Sequence, residues 1–161
     1  MENTAVNSNM TNRETEAKGL NTEINPLFSI LDKSEEFRRL QEGLCGCKGP
    51  AGVFGLGEAQ RTHIEAALFS KAKRPMLVVV PSEQAAARVH EELCCYYPDA
   101  VLFPARELPL NAHSYVQSQE LTSKRLRTAA RLIKGEPCLI VAPIEAVMQR
   151  MAPPSVISAF T

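Results

Sequence analysis

The chain has 161 residues, 45% of them hydrophobic and 22% charged, and its 18 Lys and Arg balance 18 Asp and Glu. That length suits one domain with a substantial core plus a tail, and zero net charge excludes a global basic field for nucleic acid. No run approaches the ~18 apolar residues of a membrane span, and the polar N-terminus has no apolar signal segment, so the chain reads as cytoplasmic without a membrane partner.

In chain order, residues 1–23 are rich in Asn, Thr and Glu and read as a disordered N-terminal tail. Ile24 to Glu42 carries Leu27, Phe28, Ile30, Leu31, Phe37 and Leu40 at roughly helical spacing. Pro26 suits a helix start, and Asp32 or Ser34 can cap a second helix after a break. Ala51 to Phe54 is a short apolar run read as a strand whose carboxyl end enters a glycine loop, and Glu58 to Lys71 is helical, with Ile64, Ala67, Leu68 and Lys71 along one side. Met76 to Val80 is an uninterrupted apolar strand of the kind buried in a parallel sheet. Ser82 caps a helix bearing Ala85, Ala86, Val89 and Leu93, and Ala100 to Phe103 forms the next strand, closed by Pro104.

A long loop, Ala105 to Gln117, leads into a helix over residues 118–134 with Leu126, Ala129, Ala130 and Ile133 as its apolar positions and Gly135 at its C-terminal stop. Cys138 to Ala142 is a further buried strand, and Pro143 opens a helix over Ile144 to Arg150. Alternating strand, loop and helix imply right-handed crossovers, a parallel sheet and helices on both faces. The expected organisation is a tail over 1–23, an α/β domain over 24–154, and the truncated start of a following domain over 155–161.

The glycine loop has the frame of a phosphate-binding loop with its chemistry reversed. The working pattern G-x-x-x-x-G-K-[ST] cradles phosphates on backbone N–H groups, reaches them with Lys and holds Mg²⁺ with a hydroxyl. Here Gly52, Gly55 and Gly57 lie in the frame, but Glu58 stands at the Lys position and Ala59 at the hydroxyl position. A carboxylate repels a triphosphate and Ala59 offers the metal no oxygen. The only aspartates are Asp32 and Asp99, and there is no D-E pair to organise Mg²⁺ and water. Three parts of an ATPase are therefore missing together, and no catalytic residue, nucleotide or other cofactor is expected here. A dinucleotide fingerprint fails too, since Gln60 occupies its third glycine position.

The remaining chemistry is sparse. His63, His90 and His113 are isolated, read as lone surface histidines, and none accompanies a nucleophile at triad spacing. The five cysteines, Cys45, Cys47, Cys94, Cys95 and Cys138, lack C-x-x-C spacing and read as reduced thiols, several buried. A metal site on Cys45, Cys47 and a histidine is the other reading. Lys124, Arg127, Arg131 and Lys134 recur on one helical face with Arg125 nearby. That face is either solvated or a stripe contacting DNA phosphate or an acidic partner surface.

Several segments together resemble a known family. Val53-Phe54-Gly55-Leu56, Leu77-Val78-Val79-Val80-Pro81, Phe103-Pro104-Ala105-Arg106-Glu107 and the closing Ala142 to Pro154, with its A-x-x-Q-R-x-x-P-P end, are similar to the N-terminal region of bacterial transcription-repair coupling factors, the Mfd family. That region is itself similar to the first domain of the excision-repair helicase UvrB. The resemblance covers residues 24–161. It implies a P-loop or RecA-like helicase-core fold, incomplete here, with its ATPase motifs decayed. In the full-length protein an ATP- and Mg²⁺-dependent translocase on double-stranded DNA would lie downstream, with UvrA and RNA polymerase as partners. The whole would displace polymerase stalled at DNA damage and hand the site to nucleotide excision repair. This fragment would serve as scaffold through intramolecular domain contacts. The alternative is an active nucleotide-binding UvrB-like or DNA helicase domain. Many family members carry an aromatic after F-P-A and then Pro-Tyr-Glu, where this chain has Arg106 and Leu108-Pro109-Leu110-Asn111.

Overall fold

A computed structural model describes residues 26–46, 49–72, 74–106 and 119–158. The expected tail over 1–23 and most of the loop after Arg106 lie outside the described residues. The chain forms two compact units, Met1–Leu68 and Phe69–Thr161.

In the first unit, residues 26–31 form helix α1, followed by α2 (Glu35–Cys45) and most of α3 (Glu58–Ala72). Ser34 rather than Asp32 caps α2. Its backbone is extended and its Oγ accepts the Phe37 N–H at 3.3 Å, while Glu35 and Glu36 place negative charge on the positive helix end. Phe28 and Phe37 are the buried anchors at 3% and 4% exposure, and the Phe28 ring lies 5.5 Å from that of His63. Ala51 to Phe54 corrects the sequence reading, because it is irregular chain with no strand pairing, so the glycine loop does not leave a strand end.

The second unit follows the predicted alternation: β1 (Met76–Val80), α4 (Glu83–Cys94), β2 (Val101–Leu102), α5 (Gln119–Ile133), β3 (Leu139–Pro143), α6 (Ile144–Met148) and α7 (Pro154–Ser158). Its three strands are parallel in the order β1-β3-β2, with Val78 opposite Val141 and Leu102 also opposite Val141. The chain steps over one position from β1 to β2 and returns to the middle for β3. Right-handed crossovers in opposite directions put α4 and α5 on opposite faces of the sheet. The architecture is therefore α/β, with a small parallel sheet covered on both sides.

Burial follows the same logic. All five residues of β3 are buried, as a central strand requires. Its Ile140 and Ala142, with Cys138 just before the strand, cluster with Phe103, Ala105 and Ala146, while the pleat sends Leu139 and Val141 to the other face. Ser82 accepts the Ala85 N–H at 3.2 Å, which caps α4, and Ala86 and Leu93 are its buried positions. Gly135, at φ 70°, ends α5 in a Schellman motif, with Glu136 N–H to Arg131 C=O and Gly135 N–H to Leu132 C=O.

Two details differ from the sequence reading. In α5, Leu126 and Ile133 are exposed at 45% and 42%, and the buried stripe is Arg125, Thr128 and Ala129. In α6, Pro143 is the N-cap and the helix ends at Met148, because Gln149 turns extended at φ −77°, ψ 133°. Helix α7 packs back on α5 with Ile157 buried. No helix among the described residues is long and apolar enough to cross a membrane.

Candidate functional site

Ligands of open parallel sheets gather outside the carboxyl ends of the strands. There the second unit brings together Ser82 and Glu83 after β1, Phe103 to Arg106 after β2, and Pro143 to Gln149 after β3. The segment after β2 is held at every turn. Pro104 C=O accepts from Arg125 Nη1 at 2.6 Å, and the Ala105 N–H donates to Glu83 Oε1 at 3.2 Å. The Arg106 N–H donates to Gln149 Oε1 at 2.6 Å, and Gln149 Nε2 returns a bond to Arg106 C=O at 3.1 Å. Side chains from α4, α5 and the end of α6 thus close on three consecutive residues. The F-P-A-R segment and the glutamine of the closing Q-R segment, far apart in sequence, are one clamp in space.

Arg125 is the centre of that clamp and was not picked out as a site by the sequence reading. It is 2% exposed, and its guanidinium lies 4.2 Å from the centroid of the Phe103 ring. Nη2 reaches Ala146 C=O at 3.5 Å, and Nε is buried without a hydrogen-bond partner. Among the described residues no carboxylate pairs with it. Burial pulls its pKa down from the ordinary arginine value, helped by the like charge of Arg106. Two backbone carbonyls and an aromatic face therefore stand in for the missing counter-ion. The signal in the sequence was faint: Thr128 and Ala129, three and four residues on, mark the stripe that Arg125 shares.

The predicted basic face is real as a face but not uniform. Lys124, Arg127 and Lys134 are exposed and Arg131 is half-buried. Lys124 pairs with Glu120 at 2.7 Å and Arg131 with Glu136 at 3.5 Å, while Arg127 and Lys134 make no ion pair among the described residues. Lys124, Arg127 and Arg131 form one wall of a groove of about 520 Å³ whose floor includes Val101, Leu102, Pro104 and Leu121. His90 lines the opposite wall. Its Nε2 lies 3.0 Å from Ala100 C=O, and since a carbonyl only accepts, that nitrogen carries the proton.

In the first unit the glycine frame is partly filled by its own residues. Gly57 precedes α3, and its N–H donates to the Gln60 side chain at 2.9 Å, a capping-box bond. Glu58 and Ala59 open the helix as exposed residues. Gly55 sits at φ 81°, and the Phe54 ring folds toward Gly52 so closely that a Cβ there would lie 3.0 Å from it. Around this loop, Leu31, Phe37, Leu40 and Ile64 line an apolar cavity of about 560 Å³.

The histidines correct the reading of lone surface groups: His63 and His90 are half-buried and partnered, and His113 lies outside the described residues. Cys94 is half-buried beside His90, Cys95 exposed and Cys138 buried. The side chains of Cys45 and Cys47 lie outside the described residues, and no group of three or more potential metal ligands exists among those described. What the described side chains build is a clamp and a basic groove on a parallel α/β unit.

An architecture of this kind, a small parallel sheet with its loops pinned at the strand carboxyl ends, is the class into which the chain falls. The transcription-repair-coupling factor of Bacillus subtilis (strain 168) is similar to it, 28% identical over 128 residues. The aligned part takes in 78% of this chain and 11% of that protein, so the chain spans about a tenth of its relative's length. No protein-family model matches the chain, and no solved structure does.

Proposed function

We propose that the chain is a non-catalytic, UvrB-like module of a transcription-repair coupling factor, acting as scaffold and interaction surface beside a motor encoded elsewhere. The carrying observation is the 28% identity over 128 residues to the Bacillus subtilis factor. The clamp supports the reading, because two of the resembling segments turn out to be bonded to each other. In this reading the whole protein acts on RNA polymerase stalled on damaged double-stranded DNA and recruits excision repair through UvrA. The decisive experiment is a chimaera in which this chain replaces the aligned segment of the Bacillus subtilis factor. Retained polymerase displacement and damage-dependent recruitment of UvrA are expected; loss of both in a folded chimaera would overturn the reading.

The glycine loop is proposed to be a relic of a RecA-like nucleotide site. The N–H of Gly57 is already bonded to Gln60, Glu58 presents a carboxylate, and Ala59 has no metal-binding oxygen. Calorimetry of the chain with Mg-ATP is expected to give no heat of binding. Saturable binding would favour the active nucleotide-binding alternative instead.

A further inference from the structure

The groove between α4 and α5 has a third boundary that sets its chemistry. Among the described residues, β2 is an edge of the sheet. The Phe103 N–H bonds inward to Val141 C=O at 2.8 Å, so strand alternation turns the Leu102 N–H and C=O the other way, toward the open edge. Because α4 and α5 cover opposite faces, that edge lies at the bottom of a slot with one helix on either side. The floor is apolar, from Val101, Leu102, Pro104 and Leu121, and the α5 wall is cationic, from Lys124, Arg127 and Arg131. No carboxylate lines the slot among the described residues, and Arg127 makes no ion pair among them.

We infer that this slot binds an acidic, extended peptide segment of a partner protein, added as a strand beside β2. Backbone pairing at Leu102 would set the register, alternate apolar side chains would lie on the α4 face beside Leu102, and carboxylates in the other positions would lie on the α5 face against Lys124, Arg127 and Arg131. The charge of the wall selects the partner's sign, and the apolar floor selects a peptide over DNA. A duplex makes its nonspecific contacts through phosphates, which need cations on an accessible surface rather than a narrow slot with an apolar base. The inference goes beyond the functional reading above and holds whether or not the glycine loop takes nucleotide.

The test uses the full chain and a short fluorescent peptide in which Glu alternates with Val. Saturable binding is expected, and Arg127→Glu combined with Lys124→Glu should weaken it by about tenfold or more, as for charge reversal at a complementary interface. The single substitution Arg127→Gln, on an exposed position, gives a milder version should the double variant fail to fold. Alternate N-methylation of the peptide backbone should also weaken binding, because it removes the donors that pair with Leu102. The same peptide with Lys in place of Glu should not bind. Failure of the acidic peptide to bind, equal binding of the Lys peptide, or indifference to N-methylation overturns the proposal. So does a duplex oligonucleotide that binds in its place and is lost on the same charge reversal.

Discussion

Arg125 shows how a single residue can be assigned by its neighbours rather than its type. In sequence it stands between Lys124 and Arg127, yet it points to another side of α5 and is buried while they are exposed. Its fork bridges Pro104 and Ala146 carbonyls, a geometry that an ammonium group cannot reproduce. Arg125→Lys is therefore expected to destabilise the chain by about 2 kcal/mol in urea unfolding, since it keeps the buried charge but leaves a carbonyl unsatisfied. The buried acidic-proton groups predict a pH effect as well. Burial raises the pKa of the Cys94 and Cys138 thiols and the Tyr97 phenol, so the folded chain holds their protons longer than the unfolded one. Their contribution is complete below the ordinary thiol and phenol ranges and is lost as pH rises through the raised values. The midpoint of thermal unfolding should accordingly fall between about pH 8 and about pH 11.

Among the elements, the caps were legible in the sequence and the faces were not. Ser82 and Gly135 each carry a local signal, a hydroxyl before a helix and a glycine after one, and both act as read. Ser82→Ala should cost about 1 kcal/mol in the same unfolding assay. The buried side of α5 was misread because the choice between Leu126 and Arg125 is made by what lies opposite. Phe103 and Pro104 accept a guanidinium there, and that information resides in another element. The loss of a strand at Ala51 to Phe54 has a similar origin, because an apolar run becomes a strand only where a neighbour offers pairing. The clamp yields the second test at this scale. Gln149→Ala removes both bonds to Arg106 while touching no core, so tryptic cleavage after Arg106 should accelerate with a stability loss of only about 1 kcal/mol.

At the scale of the molecule, strand, helix and strand order could be read from uninterrupted apolar runs, and parallel pairing followed from the helices between them. The division into two compact units could not, since it depends on tertiary contacts that no local pattern encodes. Hydrogen exchange should be slowest at the amides of β3, whose five residues are all buried, and faster in β1, where Leu77 and Val79 are exposed. The placement of β3 in the middle also matters during synthesis. The two outer strands are made first but have no bond to each other, and the strand that joins them is made after both. Nascent chains arrested before residue 139 has emerged would hold two orphan strands, open to chaperones, and the sheet would snap shut only when Leu139–Pro143 appears.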